Sequence, residues 1–214
     1  MSGYNYLFGE IMASIYDIKP AFQNLLRPLA NFLATKKITA NQVTLITCFL
    51  SVCLGMWVSF CFTQVKYFLF MPVWFFLRMA MNAIDGMLAK EHGMKTKLGT
   101  ILNEITDVVS DSALYFPFLF LNAAAMVPVN LFLLLSVISE MTGVVAVQIG
   151  VSRRYDGPLG KSDRAFVIGA LALITGLGVN TEKWLGGFFL ALVFLLVLTI
   201  FNRAKGALQE ELVR

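Results

Sequence analysis

The chain alternates between long apolar segments and short polar connections. Each segment is close to the length of about 20 residues that an α-helix needs to cross the hydrocarbon core of a bilayer. Six such segments can be drawn, at about residues 41–64, 67–90, 98–122, 127–151, 164–180 and 184–203. The pattern therefore predicts an all-α integral membrane protein with six transmembrane helices and short loops.

A different pattern precedes the first apolar segment. Over residues 8–35, apolar side chains recur at helical spacing among polar ones, with interruptions at Pro20 and Pro28. This predicts a kinked amphipathic helix that lies on the membrane surface, with a partly disordered tail as the alternative. We accordingly divide the chain into an amphipathic juxtamembrane segment, residues 1–37, and a six-helix membrane domain, residues 38–214.

Composition and charge agree with this class. Of the 214 residues, 58% are hydrophobic and only 14% are charged, whereas roughly 25% are charged in soluble domains. The net charge of +4 raises the question of nucleic acid. However, the basic residues cluster in alternate connections and at the ends, and the opposite connections hold only Lys66 and Lys183. We therefore predict no nucleic-acid partner, and we place both termini on the cytoplasmic side by the positive-inside rule.

Polar side chains that are costly to bury in a membrane concentrate in the second and third segments. In the second segment, Asn82, Asp85, Gly86 and Ala89 share one helix face, because they stand at i, i+3, i+4 and i+7. The two small residues leave room on that face for a bulky ligand. Close packing against another helix is the structural alternative.

The third segment carries a polar stripe. Asn103, Glu104, Asp107 and Asp111 fall within an arc of about 100° on a helix. Neighbouring carboxylates repel one another unless a cation neutralises them, and oxygen ligands suit Mg²⁺, Mn²⁺ or Ca²⁺. The sequence thus predicts a divalent metal site near the cytoplasmic membrane face, with a satisfied polar network as the structural alternative.

The connection before the fifth segment is basic and rich in glycine. Its cations are Arg153, Arg154, Lys161 and Arg164. Such a loop is typical of a phosphate site, although an ordinary cytoplasmic loop is also basic. Two further charged residues, Arg78 and Glu140, lie inside the second and fourth segments, and we expect them to form a buried pair or to join the site.

Taken together, these residues resemble the CDP-alcohol phosphatidyltransferase family, whose signature is D-x2-D-G-x2-A-R-x8-G-x3-D-x3-D. In this chain the signature runs Asn82-x2-Asp85-Gly86-x2-Ala89-Lys90-x8-Gly99-x3-Asn103-x3-Asp107. Residues 38–44 are similar to the family's sequence at the start of its first span. The six spans and the cytoplasmic site also agree, so the resemblance covers nearly the whole chain.

Three signature positions differ from the family. The first and third aspartates are Asn82 and Asn103, and the arginine is Lys90. In the family the four aspartates hold two divalent ions, and asparagine offers such an ion a carbonyl oxygen without charge. We hypothesise that Glu104 and Asp111, on the same stripe, restore the missing charge.

The resemblance implies transfer of a phosphatidyl group from CDP-diacylglycerol to an alcohol, with release of CMP and with Mg²⁺ or Mn²⁺ as cofactor. Asp107 would take the proton of the acceptor hydroxyl. Lys90 and Gly99 would lie along the diphosphate, and Gly86 and Ala89 would make room for the cytidine. A homodimer in a bacterial inner membrane, with the active site facing the cytoplasm, is also implied.

The basic loop favours an acceptor that carries a phosphate, such as glycerol 3-phosphate or another phosphorylated polyol, held by Arg153, Arg154, Lys161 and Arg164. Two alternatives stay open. One is a family member that has lost catalysis and binds lipid nucleotide or partners. The other is an intramembrane prenyltransferase, whose motif also begins with Asn and spaced Asp. Formation of CMP from CDP-diacylglycerol supports the transferase, use of a prenyl diphosphate supports the prenyltransferase, and no turnover at all supports the member that has lost catalysis.

Overall fold

A computed structural model describes residues 21–212, and every regular element in that range is helical. The helices are α1 (residues 21–35), α2 (Ala40–Phe60), α3 (Phe70–Glu91), α4 (Lys97–Tyr115), α5 (Met126–Val145), α6 (Lys161–Gly176) and α7 (Leu185–Leu212). Short 3-10 segments precede α3, follow α4 and flank α5, at Val65–Leu69, Phe116–Phe120, Ala123–Ala125 and Ala146–Ile149. The all-α class predicted from the sequence is confirmed.

Four helical stretches of the described chain are long and apolar enough to cross a membrane. They are Ala40–Phe60, Val65–Glu91, Ala123–Ile149 and Leu185–Leu212. The other two helices that match predicted spans differ in composition or length: α4 carries the polar stripe, and α6 has only 16 residues. The predicted count of six spans therefore stays a prediction.

Side chains at the helix starts explain several boundaries. Thr39 and Gln42 form a capping box before α2, because each side chain bonds the other's backbone N–H, at 3.3 and 2.8 Å. Thr96 caps α4 by accepting from the Gly99 N–H at 2.9 Å. Asp163 accepts from the Gly160 N–H at 2.9 Å, so α6 begins at Lys161, three residues before the predicted start of the fifth segment.

Two helix ends differ from the prediction. The third apolar segment was expected to run to about residue 122, but α4 ends at Tyr115 and a 3-10 turn containing Pro117 follows, since proline cannot continue the ladder of helical hydrogen bonds. The last segment was expected to end at Arg203. Instead, α7 continues to Leu212, and the Arg203 side chain is buried and bonded inside the protein.

The predicted N-terminal amphipathic helix falls partly outside the described residues, at positions 8–20. From residue 21 the chain is helical on both sides of Pro28, and α1 ends at residue 35. Ala30 is fully buried, whereas Leu25, Leu29 and Phe32 are exposed. These three residues stand at i, i+4 and i+7, so α1 presents an apolar stripe outward. Its placement on a membrane surface stays a prediction.

The chain separates into two compact units. In the described part of the chain, unit 1 comprises residues 21–47 and 77–104, and unit 2 comprises residues 48–76 and 105–212. The described core of unit 1 is small and joins α1 to the starts and ends of neighbouring helices through Ala30, Ala40, Val43, Ile84, Met87 and Leu88. These units differ from the sequence division at residue 37, which stays a prediction.

Unit 2 has the larger core, which is dominated by aromatic rings. Phe189 of α7 lies 5.3 Å from Phe132 and 6.0 Å from Phe118, measured between ring centroids. Gly55 of α2 lies so close to α4 that an added Cβ would stand 2.1 Å from the Ala113 carbonyl oxygen. Small residues allow such close packing in membrane proteins. Large apolar side chains elsewhere in this unit, such as Phe166, point outward, as a bilayer solvent permits.

Candidate functional site

Unit 1 contains a cavity of about 220 Å³. It is formed by the first turns of α2, the last turns of α3, the connection to α4 and the first turns of α4. Of the predicted site residues, its lining includes Asp85, Gly86, Ala89, Lys90, Gly99, Asn103 and Glu104. Asn82, the first position of the signature, is not part of this lining. Most of the predicted site residues in unit 1, on α3 and α4, therefore line one shared cavity.

A threonine holds Asp85. The Thr44 hydroxyl donates to Asp85 Oδ2 at 2.7 Å, and it also lies 3.0 Å from the Ala40 carbonyl of its own helix. Both side chains are buried, and Asp85 is only 6% exposed. This hydrogen bond fixes the orientation of the carboxylate, as second-shell partners of metal ligands do.

The two signature glycines have different surroundings. A Cβ added at Gly86 would meet nothing within 4 Å, which favours room for a ligand over close helix packing at this position. A Cβ at Gly99 would stand 2.6 Å from Asn41 Oδ1 and 3.0 Å from Thr96 Oγ1. Glycine at position 99 therefore lets the start of α4 approach the Asn41 side chain.

The donor atoms of this cavity suit a hard divalent cation. Asp85 and Glu104 supply carboxylates, and Asn103 supplies an amide oxygen. Within residues 21–212, no three His, Cys, Asp or Glu side chains are grouped closely enough to hold a metal ion. Mg²⁺ is commonly bound by one or two carboxylates together with substrate phosphates. The residues of this cavity fit that kind of shared coordination.

Unit 2 holds the remaining two acidic positions of the stripe, and both face cations. Asp107 forms an ion pair with Lys161 at the first position of α6. Asp111 is buried, and its Oδ2 lies 3.7 Å from Nη2 of Arg164. Two predicted acceptor residues of the basic loop are thus paired with carboxylates from α4.

A buried ion cluster surrounds Glu140 of α5. Its Oε1 accepts from Arg164 Nη2 at 2.8 Å and from Arg203 Nη1 at 3.3 Å, and its Oε2 accepts from Arg153 Nη2 at 3.1 Å. Arg164 and Arg203 are almost completely buried. Glu140 therefore belongs to a network with arginines of the loop, α6 and α7, and Arg78 is buried in unit 1.

The fourth loop cation, Arg154, is also engaged. Its guanidinium binds both oxygens of Asp156, at 2.7 and 2.9 Å, and Nη1 donates to Glu210 Oε2 at 2.7 Å. The hydrogen bond from Arg154 lowers the pKa of Asp156, and the same bond raises the pKa of Arg154. Glu210 also accepts from the Ser152 backbone N–H and hydroxyl, so the end of α7 fastens this loop.

Several residues around the unit 1 cavity and the Glu140 cluster were not predicted from the sequence. Asn41, Thr44 and Thr96 line the cavity of unit 1, and the first two belong to the segment 38–44 on which the family resemblance partly rested. The similarity of that segment to the family was therefore a signal that could have identified Asn41 and Thr44. Arg203 and Glu210 were missed because no local pattern connects them to residues some 60 positions earlier in the chain.

Comparison with known proteins agrees with the motif. A sequence model of the CDP-alcohol phosphatidyltransferase family matches residues 37–201. The inner membrane protein YnbA of Escherichia coli (strain K12) is 41% identical over 195 residues, which cover 91% of this chain and 96% of that protein. The phosphatidylinositol phosphate synthase of Corynebacterium glutamicum is 31% identical over 104 residues, 49% of this chain and 45% of that protein.

Solved structures share the fold. The Mycobacterium tuberculosis phosphatidylinositol phosphate synthase PgsA1 in complex with manganese and citrate matches with a TM-score of 0.72 at 19% identity, covering 85% of this chain and 88% of that one. The same synthase with CDP-DAG bound matches with a TM-score of 0.69 at 17% identity, covering 88% and 94%. At this level of identity the likeness establishes a common fold.

Proposed function

This chain belongs to the CDP-alcohol phosphatidyltransferase family, and on that premise we propose that it transfers the phosphatidyl group of CDP-diacylglycerol to an alcohol and releases CMP. The observation that carries the proposal is the unit 1 cavity, where most of the signature residues of α3 and α4 line one space. The membership argues against a prenyltransferase.

The residues of the cavity suit the donor nucleotide. Lys90 contributes a positive charge for the diphosphate. Gly86 and Ala89 leave space for the cytidine, and the open surroundings of Gly86 support this role. Gly99 brings backbone at the start of α4 into the same lining. Thr44 keeps the Asp85 carboxylate in one orientation.

Of the residues expected to hold Mg²⁺ or Mn²⁺, we propose Asn82, Asp85, Asn103, Glu104 and Asp107 as the ligands, with Asp85 and Glu104 as the charged members that line the cavity. We propose that Asp111, which is buried beside Arg164, serves that arginine instead. A bound divalent cation supplies neutralisation of the oxygen charge that develops on the diphosphate during displacement. Manganese in the structure of the tuberculosis synthase supports this choice of cofactor.

The chemical step is a substitution at phosphorus. The acceptor oxygen forms a bond to the phosphatidyl phosphorus, and the bond from that phosphorus to the bridging oxygen of the diphosphate breaks. CMP leaves with the electron pair of the broken bond. Asp107, the last signature position, takes the proton of the acceptor hydroxyl.

We also propose six membrane spans, cytoplasmic termini and a cytoplasmic active site in a bacterial inner membrane. The distribution of basic residues supports the orientation. The four long apolar helices and the similarity to an inner membrane protein of Escherichia coli support the membrane location. A homodimer remains an expectation from the family.

The acceptor class depends on the cations of the loop before α6. Because of Arg153, Arg154, Lys161 and Arg164, the sequence predicted glycerol 3-phosphate or another phosphorylated polyol, and the related synthases are named for a phosphorylated product. This assignment requires that the loop cations be available to a phosphate group, which depends on the carboxylates around them.

Asp107→Asn tests the proposed function. With CDP-diacylglycerol, Mg²⁺ or Mn²⁺ and a panel of alcohols, the purified parent protein should release CMP, and the variant should lose at least about 100-fold in rate because the proton acceptor is gone. Glu211→Gln, a charge-neutralising change at the exposed end of α7, is the matched control. Unimpaired turnover by Asp107→Asn contradicts the assigned base. Absence of CMP release by the parent with every alcohol indicates a member that has lost catalysis.

A further inference from the structure

The cations of the basic loop and its neighbours are already compensated by carboxylates of the same unit. The cations are Arg153, Arg154, Lys161, Arg164 and Arg203, and the carboxylates that pair with them are Asp107, Asp111, Glu140, Asp156 and Glu210. The formal charges of these ten side chains cancel. A site built for a phosphate dianion needs positive charge in excess, which these ten residues do not provide.

Glu140 occupies the centre of this arrangement. Its two carboxylate oxygens accept from three arginines at 2.8 to 3.3 Å. A carboxylate and a phosphate bind guanidinium groups through the same kind of charge-assisted hydrogen bond. Glu140 therefore makes the contacts that an acceptor phosphate would make with Arg153 and Arg164.

Burial makes this arrangement hard for a ligand to displace. The side chains of Glu140, Arg164 and Arg203 are 7%, 0% and 1% exposed. A phosphate that took over these arginines would leave the Glu140 carboxylate uncompensated inside an apolar helix, which is strongly unfavourable. Of the three arginines around Glu140, only Arg153 is appreciably accessible, at 24%.

We propose that Glu140 is a specificity-determining residue that excludes a phosphate group from the arginines around it, so that the acceptor is an alcohol without phosphate. The inference rests on the proposed transferase function and narrows its acceptor class to uncharged or zwitterionic hydroxyl compounds. It replaces the expectation of glycerol 3-phosphate, which follows from counting the loop's cations without the carboxylates of α4, α5 and α7.

Binding of inorganic phosphate tests the inference apart from catalysis. The full-length protein in detergent, with divalent metal chelated, is titrated with phosphate by calorimetry. We expect no saturable binding to the parent protein at millimolar phosphate. Glu140→Gln, which removes the compensating charge and keeps the shape, should bind phosphate saturably, at least about tenfold more tightly than the detection limit that the parent sets. Glu182→Gln, the same change at an exposed position of unit 2, is the matched control and should behave like the parent.

The acceptor preference provides a second measurement that needs no variant. In the CMP-release assay, kcat/KM of the parent should be higher for glycerol, inositol or serine than for glycerol 3-phosphate or inositol phosphate. Saturable phosphate binding by the parent, or a preference for phosphorylated acceptors, overturns the inference. Equal failure of the parent and a folded Glu140→Gln to bind phosphate overturns the role of Glu140.

The phosphate titration and the acceptor preference also distinguish failure of this inference from failure of the proposed function. If Glu140→Gln does not fold, the phosphate titration and the acceptor preference of the parent decide the question. If no alcohol releases CMP, the transferase proposal fails, and with it the acceptor class. The phosphate titration then still shows whether Glu140 keeps phosphate away from the arginines.

Discussion

The orientation of Asp85 depends on one hydroxyl. Thr44 Oγ1 donates to Asp85 Oδ2 at 2.7 Å in a buried setting, and Val has the same shape without a hydroxyl. We expect Thr44→Val to remain folded and to weaken the apparent affinity for Mg²⁺ or Mn²⁺ in CMP release by about tenfold. Thr142→Val, which removes a hydroxyl bonded to a carbonyl of its own helix, is the control. Equal metal dependence of both variants would show that the bond does not position Asp85.

The two carboxylates that were expected to restore the missing charge have different surroundings. Glu104 lines the cavity with Asp85, whereas Asp111 is buried beside Arg164. We therefore expect Glu104→Gln to weaken metal binding by at least about tenfold. Asp111→Asn should leave metal binding within about twofold and lower thermal stability, because Arg164 loses a partner. Manganese titration followed by electron paramagnetic resonance measures both affinities, and a reversed order of the two variants would refute this division.

At the scale of elements, the last turns of α7 organise the loop before α6. Glu210 accepts from the Ser152 backbone and side chain and from Arg154. Because Glu210 is partly exposed, these contacts stabilise the loop by about 1 kcal/mol rather than more. The conformation of the basic loop thus depends on hydrogen bonds to Glu210, which lies far along the chain.

Glu210→Ala tests this fastening. The Ser152 and Arg154 backbone amides should exchange hydrogen roughly fivefold faster in the variant, since the closed loop loses about 1 kcal/mol. The Arg154 amide bonds the Gly143 carbonyl and reports the loop rather than the mutated contact. Glu211→Ala, the adjacent exposed position, is the control, and mass spectrometry measures both. Unchanged exchange at both amides would mean that α7 does not restrain the loop.

At the scale of the whole molecule, the features that depend on residues close together in the sequence were predicted, and those that depend on distant residues were not. Hydrophobic runs predicted α2 to α7, and a signature confined to α3 and α4 predicted most of the unit 1 cavity lining. The end of α7 was missed because the last apolar segment was expected to end at about residue 203, whereas the helix continues and the Arg203 side chain bonds Glu140 and the Ser139 carbonyl. Such partners depend on tertiary packing, which no spacing rule encodes. For the same reason the basic loop was predicted to bind a phosphate group, because the carboxylates that pair with its cations lie far away in the sequence.

The number of membrane spans concerns the whole chain, and there are two arrangements to distinguish, one with six spans and one with four. With six spans, the connection near Ala123 lies outside the cell and Ser162 lies inside. With only the four long apolar helices across the membrane, the two positions exchange sides. Lys183 lies outside in both arrangements, because each arrangement has one more crossing before the C-terminus, which we propose to be cytoplasmic.

Single cysteines at these three positions therefore distinguish the arrangements. Cys48, Cys53 and Cys61 are first replaced by alanine, which is feasible because the three are free thiols without disulfide partners. In intact bacteria, a membrane-impermeant maleimide should label Ala123→Cys and Lys183→Cys, while Ser162→Cys should react only after permeabilisation. That result requires α4 and α6 to cross the bilayer despite the polar stripe of α4, whose charged side chains must then face protein or bound ligand rather than lipid. Labelling of Ser162→Cys but not Ala123→Cys in intact cells would establish four spans and place the basic loop outside, away from cytoplasmic acceptors.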